Sequence, residues 1–285
     1  MSSRHAVVIP LYRTALTVAE RFSIKTTVSA MAAHDILLAG PESLRGQFAD
    51  LVDVRGVPLS YVAFPDDYFR SIHGYNRLLM SRIFYQAFSA YRYILISQPD
   101  ALTLRDELDV WCARGYSYVG APWYEGYTTP TRPLRLTGVG NGGFSLRCVP
   151  DFLRVLDRPR VFRNPLMEHW PGGWKSNTYR FLKDYHSLIF ANRQVNLKVN
   201  EDQFWGLFVA RQCPFFRVAP VEEAVAFAFE AYPEFMLQLN DRKLPFGCHA
   251  WERYNREFWL DTFAGIGLDV DTLRRADDSH SLTNS

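Results

Sequence analysis

The sequence is poor in the features that would place it quickly. Only four cysteines occur in 285 residues, Cys112, Cys148, Cys213 and Cys248, and none forms a C-x-x-C pair. Their wide spacing argues against a disulfide frame or a zinc site and for reduced thiols. Charge of one sign is lacking too: 32 basic and 30 acidic residues are interspersed, for a net +2. A nucleic-acid partner, which calls for a clustered basic face, is therefore not expected. No window approaches the roughly 20 apolar residues of a membrane span. The opening MSSRHAVVIPLYR carries an apolar run too short for a signal-peptide core. No internal repeat or low-complexity segment is present, and no glycine-rich loop is followed by Gly-Lys-Ser/Thr. These absences point to a cytoplasmic chain without a transmembrane segment, free to make peripheral contact with the inner membrane surface.

What is present is an ordinary globular composition, 48% apolar and 22% charged, with a somewhat high aromatic share of 15%. The length is enough for a sizeable core. One stretch organises the rest, Tyr75 to Leu104. Leu78, Leu79, Arg82, Ile83, Gln86 and Ala87 recur at helical spacing, which predicts a helix, and Tyr93 to Ser97 is an apolar run of buried-strand length. That run stops at Gln98-Pro99-Asp100. In open α/β sheets ligands bind outside the carboxyl ends of strands, so Asp100 stands where a ligand-binding carboxylate is expected.

Upstream, Ala6 to Ile9 reads as a first strand ending at Pro10, Leu16 to Met31 as a helix, Asp35 to Ala39 as a second strand, and Ser60 to Phe64 as a third. Strand, helix, strand at this spacing implies a parallel pair with a right-handed crossover. Tyr12 would lie at the mouth of the sheet, placed either to stack on a base or to pack at a strand end. Asp66 and Asp67 read as a solvated turn rather than a metal pair. Downstream, Glu107 to Ala113 reads as a helix, Tyr116 to Val119 and Phe144 to Val149 as strands, Phe215 to Ala219 as a late strand and Val221 to Phe229 as a helix. Gly138 to Arg147, GVGNGGFSLR, holds glycines where backbone must bend or approach something closely. The segment 157–199 reads as a long loop with short helices, a candidate lid. Asn200-Glu201-Asp202 opens an apolar helix: Asn200 suits an N-cap, the acids suit the positive helix end, and either acid could act as a general base.

These stretches carry a resemblance. A helix with an early Arg, an apolar strand, then Asp-x-Asp resembles the core of GT-A glycosyltransferases. The chain from about Val7 to Trp251 is similar to an uncharacterised glycosyltransferase-like family of bacteria and fungi, through GYNR, the Q-x-D turn, GAPW, GNGGFSLR, NED and GCHAW. The resemblance implies a single GT-A-like α/β domain over residues 1–260, with a Rossmann-like, mostly parallel mixed sheet and helices on both faces, and a polar tail over 261–285. It implies a nucleotide-sugar donor and a glycan or glycolipid acceptor. Pro10, Tyr12, Arg77, Gln98, Asp100, Asn141, Gly142 and Gly143 would bind the donor. Asp100 and His249 would hold a divalent cation, Mn²⁺ or Mg²⁺, although Gln98 stands in place of the first acid of the motif. Asp202, with Glu201 beside it, would be the catalytic base of an inverting transfer; Asp202-Gln203 also resembles a pattern of retaining families. Two rivals remain. A nucleotidyltransferase would want a glycine-rich basic loop after strand one, which PLYRTA is not, and a degenerate binding domain would be consistent with Gln98.

Overall fold

The structure, a computed structural model, describes residues 5–48, 56–127, 130–157 and 200–276. The expected lid over 157–199, apart from Asp157, and the last part of the expected tail, from 277 on, lie outside the described residues. The strands in chain order are β1 (His5–Pro10), β2 (Asp35–Pro41), β3 (Leu59–Phe64), β4 (Tyr93–Ser97), β5 (Ala101–Thr103), β6 (Tyr118–Val119), β7 (Pro122–Tyr124), β8 (Leu136–Val139), β9 (Phe144–Cys148), β10 (Ala228–Phe229) and β11 (Gly247–His249). Six of them form one sheet in the order β3-β2-β1-β4-β9-β6. The first four are parallel, and β9 and β6 add antiparallel pairings. A three-stranded sheet, β10-β11-β5, and a hairpin, β7-β8, flank it. The expected mixed, mostly parallel α/β sheet is therefore the one observed.

Alternation along the strands builds two cores. Val7, Ile9, Ile36, Leu38 and Leu95 face one side, where they pack with Ile24 and Val28 of α1 (Val18–Ala30). Ala6, Val8, Leu37, Ile94 and Ile96 face the other, against Leu78, Phe84, Phe152 and Trp205. Helices thus cover both faces. α1 starts on a reciprocal capping box, with the Thr17 hydroxyl accepting from the Glu20 amide while the Glu20 carboxylate accepts from the Thr17 amide.

The central helix departs from expectation. It splits into α2 (Ile72–Leu79) and α3 (Arg82–Ala87) at Met80-Ser81. Side chains satisfy the carbonyls at the break: the Ser81 hydroxyl donates to Leu78 O at 2.6 Å, and Tyr85 and Trp205 both donate to Leu79 O. α4 (Leu108–Ala113) and α5 (Val149–Leu156) follow, α4 edge-packing Trp111 onto Phe227. The late strand expected over 215–219 does not form; Val218 makes only an isolated bridge to Tyr118. The boundary expected at 260 cuts the Arg256–Gly265 helix, and Phe263, Val270 and Leu273 beyond it are buried. Asp66 and Asp67 form the expected turn, Asp66 accepting from the Ser43 amide and Asp67 pairing with Arg70. None of the four cysteines forms a disulfide, and all are buried. Among the described residues no helix is long and apolar enough to cross a membrane.

Candidate functional site

A cleft of about 990 Å³ opens where β1 and β4 end and β9 begins, and residues far apart in sequence meet in it. Pro10, Tyr12, Gln98, Asp100, Asn141, Gly142, Gly143, Glu201, Asp202 and His249 all line it. Of the expected site residues only Arg77 does not. α2 turns Tyr75 and Asn76 toward the cleft, and the next residue, about 100° further round the helix, points elsewhere. The Arg77 guanidinium lies 5.6 Å from the Tyr68 ring centre, and its Nε is buried with no hydrogen-bond partner among the described residues. Its expected role in nucleotide binding finds no support in this placement.

At one end of the cleft the antiparallel register of β11 on β5 sets His249 opposite Ala101, next to Asp100. His249 Nε2 lies 3.4 Å from Asp100 Oδ1 and 3.3 Å from Gln98 Oε1, while Nδ1 lies 3.2 Å from Glu230 Oε1. Gly143 permits this approach, since a Cβ there would meet His249 Nε2 at 2.1 Å. Burial disfavours charge on the imidazole, but Asp100 and Glu230 outweigh it and push its pKa up to about 10. Burial likewise opposes charge on Asp100, and the facing His249 holds its carboxyl below the ordinary value. Among the described residues no group of three His, Cys, Asp or Glu is disposed to hold a metal. The donors that do converge are one carboxylate oxygen, one amide oxygen and one imidazole nitrogen. That set suits a divalent cation once His249 has lost its proton.

The opposite wall is the start of a helix over 201–212, α-helical at Glu201–Gln203, π-helical at Phe204–Val209 and α-helical again at Ala210–Gln212. Asn200 occupies the N-cap position, but its side chain does not cap. Asn76 of α2 does so instead: its Oδ1 accepts from the Glu201 amide at 3.2 Å, and its Nδ2 donates to Asn200 Oδ1. Glu201, expected as a candidate base, is only 3% exposed, and both of its oxygens accept from Arg147, at 2.8 and 2.9 Å. A carboxylate whose two oxygens are both engaged by a buried guanidinium is poorly placed to take a proton from a substrate, which makes Asp202 the stronger candidate. Asp202 is partly exposed to the cleft, and its Oδ1 accepts from the Gln203 amide. Burial, then the negative charges of Glu201 and Glu230, raise its pKa to about 7.

Between the two ends, Asn141 takes a left-handed backbone, φ 69°, and its own side chain accepts from the Gly143 amide. This local bond is why Asn tolerates a position that most residues avoid. Tyr12 stands 52% exposed at the mouth. Trp123, Tyr124, Tyr127 and Tyr254 add aromatic surface, and Arg253, exposed, brings a cation to the lining.

The sequence reading missed Arg147, Glu230, Asn76 and Arg253. Arg147 had a signal: a charged residue inside the apolar run Phe144 to Val149 needs a buried partner. Glu230 ends the apolar run AVAFAF, and Arg253 follows two residues after Trp251 in GCHAWER. Neither pattern reveals which strand it will face.

A family model described as Protein of unknown function (DUF5672) matches residues 58–249. No curated protein matches the sequence. Among solved structures, the chain is similar to mouse xyloside xylosyltransferase 1 at 10% identity and TM-score 0.46, over 86% of this chain and 97% of that one. It is similar to the galactosyltransferase LgtC, solved with donor and acceptor sugar analogs, at 11% identity and TM-score 0.47, over 94% and 99%. The glycosyltransferase GlyE of Streptococcus pneumoniae TIGR4 is similar at 13% identity and TM-score 0.43, over 98% and 64%. Likeness at this level is too coarse to assign a site or a reaction.

Proposed function

The chain belongs to the DUF5672 family, whose description assigns no activity, and from the cleft just described we propose that it is a glycosyltransferase using a nucleotide-sugar donor and an acceptor hydroxyl. One observation carries this reading. Five separate stretches, the β1 end, the Gln98-Asp100 turn, Asn141-Gly142-Gly143, Asp202 and His249, meet in one cleft that holds both a charged cluster and a candidate base.

At the base end, Asp202 takes the acceptor proton as the acceptor oxygen bonds to the anomeric carbon and the bond from that carbon to the diphosphate breaks. A carboxyl with a pKa of about 7 is half ionised near neutral pH and still basic enough to accept that proton. At the other end, Asp100, His249 and Gln98 would hold a divalent cation, whose chemistry there would be neutralisation of the departing diphosphate. Arg253 lies on the same lining, placed to add its charge to that task. Tyr12, exposed at the mouth beyond Pro10, would stack on the nucleotide base. Asn141 and the two glycines would line the place of the sugar. Inversion is favoured because a carboxylate with a pKa raised to about 7, suited to taking an acceptor proton, faces the cleft.

The test is nucleotide release from a panel of nucleotide sugars, with and without Mn²⁺, for wild type and Asp202→Asn. Wild type is expected to release nucleotide from at least one donor, with a rate that climbs as pH passes 7. Asp202→Asn should fold, bind donor and turn over at least ~100-fold more slowly. Normal turnover by Asp202→Asn would sink the base assignment, and binding without release by wild type would leave a non-catalytic binding domain.

A further inference from the structure

β9 reads Phe-Ser-Leu-Arg-Cys, and its alternation sends Phe144, Leu146 and Cys148 into one core. Ser145 and Arg147 therefore point to the opposite face, which is lined by aromatic rings. Arg147 is fully buried there, its guanidinium 5.5 Å from the Tyr118 ring centre and 5.7 Å from that of Phe152. An isolated buried charge is unstable, so every donor needs an acceptor. Nε donates to Ser145 Oγ, Nη1 to Tyr85 OH and to Glu201 Oε2, and Nη2 to Glu201 Oε1 and, more weakly at 3.5 Å, to Gly142 O. One side chain thereby ties together β9, α3, the glycine wall of the cleft and the first residue of helix 201–212. The fit leaves no slack, because a Cβ on Gly142 would meet Glu201 Oε1 at 1.8 Å.

We propose that the Arg147–Glu201 pair is the positioning element of the cleft: it locks the first turn of helix 201–212 onto the Gly142-Gly143 wall and so fixes where the Asp202 carboxylate points. Arg147 and Glu201 touch no substrate; they act through Asp202. The pair also sets the charge that Asp202 feels. Asp202 faces Glu201 on its own helix, Glu230 from the loop before the Pro233–Leu239 helix, and Arg147 from β9. The proposal rests on the glycosyl-transfer reading only for the use to which Asp202 is put.

The experiment therefore needs no turnover. In the full chain, Arg147→Met and Glu201→Leu are made together, since removing both partners leaves no lone buried charge. Asp202 is then labelled with a water-soluble carbodiimide, which reacts with protonated carboxyls, across a pH series read by peptide mass spectrometry. Amide exchange is followed at Gln203 and Phe204. The expected result is a folded double variant in which the labelling midpoint of Asp202, near 7 in wild type, falls by about one unit or more. The two amides should exchange roughly tenfold faster or more. An unchanged midpoint with unchanged exchange overturns the proposal. If the double variant does not fold, wild type decides. Gln203 and Phe204 amides protected as strongly as those of β9 support the lock, and amides exchanging like an open loop overturn it. A locked, normally titrating Asp202 in a chain that never releases nucleotide would instead retire the transferase reading and leave the positioning intact.

Discussion

Asp202 and Gln98 are the two cleft residues whose substitution tests the proposed chemistry most directly. Folding raises the affinity of Asp202 for a proton, so between the ordinary carboxylate value near 4 and about 7 the folded chain holds a proton that the unfolded chain has released. The contribution of this group to stability is complete below that window and is lost as pH rises through 7. Asp202→Asn, which cannot ionise, is therefore expected to be more stable than wild type at pH 8, by up to about 4 kcal/mol, with the gap closing near pH 4. Urea unfolding of both proteins at the two pH values measures this, and a gap independent of pH would mean an ordinary carboxylate. Gln98 can offer a cation only a neutral oxygen, while hard cations favour charged ones. Gln98→Asp should tighten Mn²⁺ binding by roughly tenfold or more by calorimetry, about 1.4 kcal/mol; equal or weaker affinity would place the cation, if any, away from this turn. Both residues were legible in the sequence, because a polar turn after a buried strand and an acidic pair opening a helix are local patterns. The separate fates of Glu201 and Asp202 were not, since they depend on Arg147, 54 positions away from Glu201. Arg77 does not line the cleft for a different reason, since the sequence does not say in which direction a residue of α2 points.

Among the elements, strands were easier to read than helices. β1, β2 and β4 are buried runs whose composition admits few alternatives, whereas the break between α2 and α3 involves Tyr85 and Trp205, whose side chains reach Leu79 O. The stretch 215–219 has the apolar character of a strand but finds only one bridging partner, on two-residue β6. Helix 201–212 shows what periodicity hides. Its π-helical section brings Gly206 against β8, where an added Cβ would meet Val139 O at 2.4 Å and Trp123 at 3.4 Å. Because the obstacle is backbone, it cannot swing aside. Gly206→Ala should cost about 1–3 kcal/mol in urea unfolding and should also reduce nucleotide release, since the helix that must shift carries Asp202. A variant as stable and as active as wild type would show that the helix moves freely on its support.

For the whole molecule, the expected layers were found because alternation along each strand supplies an apolar face on either side of the sheet. The C-terminal limit was misplaced because charged residues, Asp261, Asp269, Asp271, Arg274 and Arg275, break up the apolar ones over 261–276. Three of those apolar side chains, Phe263, Val270 and Leu273, are core residues that cluster with Trp251 and Trp259. Ending the chain at 260 strips that core of three buried side chains worth roughly 5 kcal/mol together. The shortened chain is expected to melt at least ~10 °C lower or not to fold, as followed by circular dichroism. An unchanged melting curve would restore the boundary at 260.

The pairing of β11 with β5 has a consequence for the making of the protein. Gln98 and His249 face each other across 151 positions of sequence, so a chain growing on the ribosome exposes its sheet and its Asp202 helix well before it owns a complete charge-binding end. Until β11 emerges and docks, His249 cannot join Gln98 and Asp100, and the charged cluster is incomplete. On the proposed reading an unfinished chain would therefore spend no donor, because the last strand among the described residues is also the one that would complete the site.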